Sequence, residues 1–327
     1  MDQPIEITGF AVKERGKFYR LPESIIDKVN DGVTGLATHS AGGCLRFRTD
    51  SPQIAVKVTL LYTGGMSHMP LSGQSGIDVY FDDKFCGSVQ PAGSADTEYE
   101  GAVCRFPTIN GTCDIRINLP LYNGVSEVSI GIGDNSLIGK PSPYKTEQPM
   151  LFYGSSITQG GCASRPGNAY PALLSRWLSA SHINLGFSGS ARGEKIMAEY
   201  IASLDLSVFI MDYDHNAPNA EHLKATHENF FKIIREKNPV LPVVFVSKPD
   251  FDANVGESSV RRGIIRETYE RTLAAGDGNV YFIDGETLFG TRDRLSATVD
   301  TCHPNDIGFM SMAETIYPVL KKILNKI

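Results

Sequence analysis

Two distant stretches of the chain carry residue types that together could cleave an ester. The first is an apolar run that begins at Met150 and is followed by Gly-Ser-Ser, in which the second serine is Ser156. A buried parallel strand that ends this way holds a serine hydroxyl at the carboxyl edge of a sheet. The second stretch carries Asp300 and His303, three residues apart. If the fold brings them together, these side chains can act as nucleophile, orienting acid and general base.

Each stretch also has a simpler interpretation. A Gly/Ser sequence is often a solvated turn, and a histidine before Pro304 can simply precede a helix. The presence of both stretches in one chain favours the catalytic interpretation. If a helix begins just after the glycine and serines, its free N–H groups and positive end would face the position of a developing oxyanion.

The length and composition indicate a globular protein of two domains. The chain has 327 residues, and a domain typically has roughly 100–200. Its net charge of −6, without a basic tract, argues against nucleic acid or an anionic membrane as partner. No apolar run approaches the roughly 18 residues of a membrane span. The N-terminus lacks the pattern of a signal peptide, so we expect a cytoplasmic protein unless a leader was removed.

Six cysteines are spread along the chain, and two of them, Cys162 and Cys302, lie close in sequence to the proposed site residues. There is no Cys-x-x-Cys pair and no Cys/His cluster with zinc spacing. We therefore expect free thiols, no metal site and no cofactor. Cys302 is a poor candidate nucleophile because it sits directly beside His303, where backbone geometry rarely aligns the two groups.

Residues 1–145 are rich in short segments that alternate between apolar and polar residues. This pattern predicts an all-β, jelly-roll-like sandwich of two sheets, with a helical stretch near 24–29. A segment rich in Gly and Pro at 139–145 suggests a linker and a domain boundary. The predicted strands are 45–49, 54–60, 77–81, 85–89, 113–119 and 125–132.

Residues 146–327 alternate between buried strands and amphipathic helices. Such a sequence predicts an α/β domain with a doubly wound, three-layer, flavodoxin-like parallel sheet, whose ligand site lies at the carboxyl ends of the strands. His215, Lys248 and Asp250 follow strand ends, where such residues are more often loop formers than substrate contacts. The predicted strands are 149–153, 182–185, 208–212, 243–246 and 280–283, and the helices are 169–179, 195–203, 220–237, 260–275 and 308–325.

These motifs resemble the SGNH, or GDSL-type, hydrolase family over residues 147–327. The family is named for four residues in four sequence blocks. Its Gly-Asp-Ser block matches residues 154–156, with Ser155 in place of the aspartate, and its Asp-x-x-His block matches residues 300–303. The resemblance implies that Ser156 is the nucleophile, with His303 as the base and Asp300 as the acid.

The two middle blocks imply the donors of an oxyanion hole. The glycine of the second block matches Gly189, and the asparagine of the third matches Asn216, although the usual Gly-x-Asn-Asp wording is absent. The resemblance implies that the oxyanion is held by the backbone N–H groups of Ser156 and Gly189 and by the Asn216 amide. It requires no metal.

The first half of the chain resembles the β-sandwich that precedes one branch of this family. Gly76-Ile77-Asp78-Val79-Tyr80 is similar to the Gly-x-Asp-Leu-Tyr signature of that branch, and residues 119–124 fit it too. We expect Asp78 to be a structural hydrogen-bonding residue inside the sandwich.

The resulting hypothesis is a serine esterase that hydrolyses short acyl esters, with acetyl as the expected group and a carbohydrate or oligosaccharide as the expected carrier. One alternative is a thioesterase or lysophospholipase acting on other acyl groups. Another is a carbohydrate-binding protein without catalytic activity, which the presence of Ser156, Asp300 and His303 disfavours. An open polar groove beside the serine would favour a sugar ester, and an apolar channel would favour a lipid.

Overall fold

The computed structural model describes residues 4–11 and 18–326. The N-terminal part of this description consists of two antiparallel sheets. The strands are β1 (Glu6–Thr8), β2 (Cys44–Thr49), β3 (Gln53–Leu60), β4 (Ile77–Phe81), β5 (Lys84–Val89), β6 (Glu98–Cys104), β7 (Cys113–Asn118), β8 (Val125–Ile132) and β9 (Ile138–Gly139). One sheet has the strand order β1-β2-β7-β4-β5, with β9 also paired to β2, and the other has the order β6-β3-β8. The short helices are α1 (Glu23–Ile26), α2 (Asp31–Leu36) and α3 (Leu71–Gln74).

Alternation along the strands explains the core of this sandwich. In β3, Ile54, Val56 and Val58 are buried, whereas Lys57 between them is exposed. Successive side chains of a strand point to opposite faces, so a single register buries all three apolar residues. They join one apolar cluster with residues of β2, β4 and β7.

Several elements of the first half differ from the prediction. The sequence reasoning missed β1 and β6. In β6 only Tyr99 and Val103 are buried and Gly101 interrupts the pattern, so the apolar signal is weak. Strand β9 extends into the segment predicted as a linker, and the helical stretch expected at 24–29 is shorter.

The second half has the predicted architecture of a parallel sheet between two helical layers. Its strands are β10 (Thr146–Gly154), β11 (Ala180–Gly186), β12 (Val208–Asp212), β13 (Val243–Val246) and β14 (Val280–Ile283). They have the order β11-β10-β12-β13-β14 and all pair in parallel. The helices are α4 (Ser156–Gln159), α5 (Tyr170–Leu178), α6 (Lys195–Ala202), α7 (Ala220–Lys237), α8 (Val255–Ala274) and α9 (Asp306–Leu324).

Two apolar clusters lie on opposite faces of this sheet. Helices α6, α7 and α8 contribute to one cluster, and α5 and α9 contribute to the other. Within the sheet, β10 lies between β11 and β12, so that Gly154 pairs with Gly186 on one side and Asp212 on the other. The carboxyl ends of these three strands therefore meet at one point of the sheet edge.

The fold class predicted from the sequence is confirmed in both halves. The division at residues 145 and 146 stays a prediction, although the parallel sheet begins at Thr146. Among the described residues, we find no helix with the length and apolar character of a membrane span.

Candidate active site

The predicted nucleophile lies where β10 passes into the short helix α4. Ser156 is the first residue of this helix, so its backbone N–H has no partner within the helix. Ser155 is the N-cap, and its hydroxyl accepts a hydrogen bond from the N–H of Ile157 at 3.1 Å. A Cβ atom at Gly154 would lie 2.5 Å from the carbonyl oxygen of Asp212, so only glycine lets β10 and β12 come this close.

The structure brings Ser156, His303 and Asp300 together in one chain of contacts. The Ser156 Oγ lies 2.9 Å from His303 Nε2, and His303 Nδ1 lies 2.8 Å from Asp300 Oδ2. The other carboxylate oxygen, Oδ1, accepts hydrogen bonds from the backbone N–H of His303 at 2.7 Å and of Cys302 at 3.1 Å. This geometry lets the imidazole take a proton from the serine at one nitrogen while the carboxylate holds the other.

Hydrogen bonding sets the electrostatics of this group. Hydrogen bonds to Cys302 and then to Asp300 outweigh the effect of burial and raise the pKa of His303 to about 9. Burial raises the pKa of Asp300, but the hydrogen bonds from His303 outweigh it, so that the pKa lies below its usual value. Ser156 is 5% exposed, whereas the His303 side chain is 24% exposed. The two neighbours, Cys302 and Asp300, therefore stabilise the protonated form of the imidazole, and the ring can be reached by a substrate.

Of the two predicted oxyanion donors outside α4, Asn216 is linked to the end of β10 through Phe187. The N–H of Phe187 donates to the Gly154 carbonyl oxygen at 2.8 Å, and the Asn216 side-chain amide donates to the Phe187 carbonyl oxygen at 2.8 Å. That amide has a second hydrogen to offer. Gly189 adopts a φ of +66°, which favours glycine. The roles of Gly189 and Asn216 as oxyanion donors stay predictions.

The β-sandwich forms a wall of the candidate site, one of the roles that the sequence left open for it. The Tyr122 hydroxyl donates to the Ser156 carbonyl oxygen at 3.1 Å, and the Gln159 amide donates to the Leu121 carbonyl oxygen at 3.0 Å. The ring of His68 lies 5.7 Å from the ring of His303. The motif at 119–124 was visible in the sequence, but nothing in it indicated contact with the nucleophile helix.

Asp78, from the Gly-x-Asp-Leu-Tyr-like motif, joins the two halves. Its side chain is fully buried and accepts hydrogen bonds from the Asn118 amide at 2.7 Å and the Gly167 backbone N–H at 2.7 Å. Arg165 forms an ion pair with it at 3.2 Å. Asp78 thus has the hydrogen-bonding role expected of it, but two of its partners lie outside the sandwich.

Beside the triad lies a second cluster that the sequence did not reveal. Cys302 Sγ is 3.2 Å from His215 Nε2, which in turn is 3.2 Å from Asp250 Oδ2. Hydrogen bonds from His215 and His303 outweigh burial and lower the pKa of Cys302 to about 7. His215 lies 35 residues from Asp250 and 87 residues from Cys302 along the chain, so no local spacing could indicate the cluster.

Two groups of described residues have the ligand types and spacing to hold a metal ion. One consists of His215, Asp250 and Cys302, and the other consists of His68 with Asp300 and His303. The second group uses two members of the candidate triad, so it belongs to the site already described.

Comparisons with known proteins agree with these observations. Residues 147–321 match the model of the GDSL-like lipase/acylhydrolase family, and residues 1–138 match a model described as the N-terminus of SGNH-hydrolase-type esterases. No functionally curated protein matches the sequence.

Solved structures resemble the chain over nearly its whole length. A Bacteroides ovatus protein described as a GDSL-like lipase is 30% identical, with a TM-score of 0.87 over 98% of this chain and 96% of its own. The salicylyl-acyltransferase SsfX3 from a tetracycline biosynthetic pathway is 21% identical, with a TM-score of 0.81 over 98% and 95%. An acetyl xylan esterase from the rumen bacterium Butyrivibrio proteoclasticus is 13% identical, with a TM-score of 0.60 over 99% and 96%. The last two likenesses concern the fold alone.

Proposed function

Because the chain belongs to the GDSL-like lipase/acylhydrolase family, we propose that it is a serine esterase that removes short acyl groups, acetyl first among them, from carbohydrates. The observation that carries this proposal is the chain of contacts from Ser156 through His303 to Asp300, with distances of 2.9 and 2.8 Å. These are hydrogen-bond distances at which a proton can move from the serine to the imidazole.

In the proposed mechanism, Ser156 Oγ attacks the acyl carbonyl carbon while His303 Nε2 takes its proton. Asp300 holds the ring in the tautomer that leaves Nε2 free and stabilises the imidazolium. The backbone N–H groups of Ser156 and Gly189, with the Asn216 amide, stabilise the oxyanion. His303 then protonates the leaving alcohol, and the acyl group stays on Ser156. Water attacks the acyl-enzyme by the same steps and releases the acid.

The polar surroundings of the triad support a sugar ester over a lipid. The exposed His68 faces one side of His303, and Cys302 with His215 lies on another. Hydroxyl-rich leaving groups suit such surroundings, because polar side chains can replace the water that they lose. A structural neighbour that is an acetyl xylan esterase shares the fold at 13% identity, which makes acetylated sugars the first substrates to test.

The decisive experiment compares p-nitrophenyl acetate, butyrate and octanoate as substrates of the wild type and the Ser156→Ala variant. We expect acetate to be cleaved fastest and Ser156→Ala to lose roughly 10⁴-fold or more of kcat. Ser203→Ala, a serine substitution at the end of α6 and outside the triad, is the matched control and should retain activity. Acetate release from acetylated xylo-oligosaccharides would then test whether the acyl group is carried by a sugar.

Two outcomes would contradict the proposal in different ways. Turnover that survives Ser156→Ala would remove the serine from the mechanism. Faster cleavage of octanoate than of acetate, lost in the same variant, would retain the serine but favour the thioesterase or lysophospholipase alternative.

A further inference from the structure

The cluster of His215, Asp250 and Cys302 joins three separate strand connections. His215 lies in the 3-10 turn after β12, Asp250 follows β13, and Cys302 lies in the turn before α9. Their ligand atoms, one nitrogen, one oxygen and one sulfur, all lie within 4.8 Å of one another. Since three connections must fold correctly to bring them together, the cluster is a product of the tertiary fold.

The two contacts of His215 distinguish a metal site from a second catalytic triad. In a nucleophile–histidine–acid triad, the nucleophile and the acid meet opposite ring nitrogens. Here both Cys302 Sγ and Asp250 Oδ2 approach the same nitrogen, Nε2, each at 3.2 Å. Such a ring cannot take a thiol proton at one nitrogen while the carboxylate holds the other nitrogen. Three ligand atoms that converge on one point can instead surround a cation.

The spacing of these atoms is close to what tetrahedral zinc requires. With Zn–S near 2.3 Å and Zn–N and Zn–O near 2.0 Å, the ligand atoms lie about 3.3–3.6 Å apart. The two separations that involve His215 Nε2 are 3.2 Å, and the third, between Cys302 Sγ and the Asp250 carboxylate, is within 4.8 Å, so side-chain movements of about an ångström or less reach these values. Sulfur, imidazole and carboxylate together are a ligand set that zinc accepts.

Burial and hydrogen bonding also suit a ligand role for Asp250. Its residue is 5% exposed, and its Oδ1 is a buried oxygen without a hydrogen-bond partner among the described residues. A buried carboxylate oxygen that lacks a partner is costly, and a cation or its bound water would satisfy it. His215 and Cys302 remain partly exposed, which leaves an entry path and room for water as the fourth ligand.

Lys248 competes with a metal ion for the carboxylate of Asp250. Its Nζ lies 3.4 Å from Asp250 Oδ2, so its positive charge partly neutralises the carboxylate that would bind the metal. The ammonium group must withdraw when a cation enters. Removal of this charge should therefore strengthen metal binding, so that a variant of Lys248 is expected to have a higher metal affinity than the wild type.

We propose that Cys302, His215 and Asp250 bind a divalent cation that accepts sulfur and nitrogen ligands, such as Zn²⁺, and that the bound ion inhibits the esterase. The thiol proton of Cys302 and the proton that His215 Nε2 carries in the imidazolium leave to water when the Zn–S and Zn–N bonds form, and nothing is oxidised or reduced. The inhibition rests on the proposed function, whereas the binding does not.

The coupling to catalysis follows from the position of Cys302 in the triad turn. The N–H groups of Cys302 and His303 both donate to Asp300 Oδ1, at 3.1 and 2.7 Å. A metal that draws the Cys302 sulfur toward His215 therefore pulls on the turn that sets Asp300 against His303. Its charge also opposes the positive charge that develops on His303 during catalysis.

The test uses the full chain, reduced and stripped of metal, with Zn²⁺ followed by calorimetry and Co²⁺ followed by absorbance. We expect one ion per chain and a thiolate-to-cobalt charge-transfer band. Cys302→Ser should remove the band and weaken Zn²⁺ binding by roughly tenfold or more, since even outer-shell changes cost that much. Cys86→Ser, which alters a partly exposed cysteine of the sandwich, should retain both.

Three further variants separate binding from folding and from catalysis. His215→Gln should weaken Zn²⁺ binding as Cys302→Ser does, which covers the case in which one of them fails to fold. Lys248→Gln should bind Zn²⁺ more tightly than the wild type. Ser156→Ala should bind it unchanged, because the nucleophile is not a ligand. Hydrolysis of p-nitrophenyl acetate by the wild type should fall as the site fills and recover with a chelator.

Each contrary result would overturn a specific part of the proposal. Absence of Zn²⁺ binding, or a cobalt band that survives Cys302→Ser, overturns the site. Binding that leaves ester hydrolysis unchanged overturns the inhibition alone. Binding by a protein that hydrolyses no ester supports the site and overturns the esterase, and the inhibition falls with it.

Discussion

His303 and His215 each contact a carboxylate and a side chain that could be a nucleophile, yet the two rings use their nitrogens differently. His303 meets Ser156 at Nε2 and Asp300 at Nδ1. His215 meets both Cys302 and Asp250 at Nε2. The first arrangement lets Nε2 exchange a proton with the serine while the carboxylate holds Nδ1, and the second brings both contacts to one nitrogen. The same residue types thus suit different chemistry, depending on which ring atoms they face.

The largest effect that bears on this comparison is expected for Asp300→Asn. An amide at this position can donate to Nδ1 and so hold the ring in the tautomer that cannot accept the serine proton. We expect kcat for p-nitrophenyl acetate to fall roughly 10³-fold or more, with little change in KM. Steady-state kinetics would measure both values.

Asp293→Asn is the matched control for this change. Asp293 is an exposed loop aspartate with a φ of +45°, a conformation that asparagine also tolerates, and it should retain activity. An undiminished kcat in Asp300→Asn would mean that the Nδ1 contact does not set the tautomer. The contrast between the two histidines would then lose its catalytic meaning.

A third carboxylate, that of Asp212, extends the comparison to the pH dependence of stability. Asp212 is buried and accepts hydrogen bonds from the hydroxyls of Tyr170 at 2.7 Å and Thr158 at 2.9 Å. Burial outweighs these bonds and raises its pKa to about 7. The folded protein therefore holds a proton that the unfolded chain has lost, so this group lowers stability as the pH rises from about 4 to about 7. A difference of about three between the two pKa values corresponds to roughly 4 kcal/mol.

Asp212→Asn removes this proton linkage while keeping a side chain of similar shape. We expect the free energy of unfolding of the wild type to fall, relative to that of the variant, across this pH range. Urea unfolding at several pH values would measure the difference. Parallel curves for the two proteins would mean that Asp212 is already ionised in the folded state and resembles Asp300 more than its burial indicates.

Much of the parallel sheet could be predicted from the sequence. The bounds of β12, β13 and β14 are those predicted, because buried parallel strands are continuous apolar runs bounded by polar loops. Ser156, Asp300 and His303 could be chosen because each lies in a recognisable local motif. Strand β6 could not be predicted, since it is defined by its pairing with β3 and its own apolar pattern is weak.

The second cluster marks the limit of local reasoning. Asp250 and His215 were interpreted as loop residues, and Cys302 as a poor nucleophile because of its place beside His303. The structure directs the Cys302 side chain to His215, at 3.2 Å. Only the order of β12 and β13 within the sheet brings the two strand connections together, and a sequence pattern does not contain that order.

The smallest of these effects, and the finest test of the comparison, is expected for Asn216→Ala. Asn216 follows His215 in one 3-10 turn, as His303 follows Cys302, so neighbouring residues serve different clusters. Loss of an oxyanion donor should lower kcat by roughly 10²-fold and leave Zn²⁺ affinity unchanged, whereas His215→Gln should weaken Zn²⁺ binding. Asn229→Ala, in which an exposed asparagine of α7 is replaced, is the control for kcat. If Asn216→Ala weakened both activity and metal binding, the turn would act as one unit and the two clusters could not be treated as separate sites.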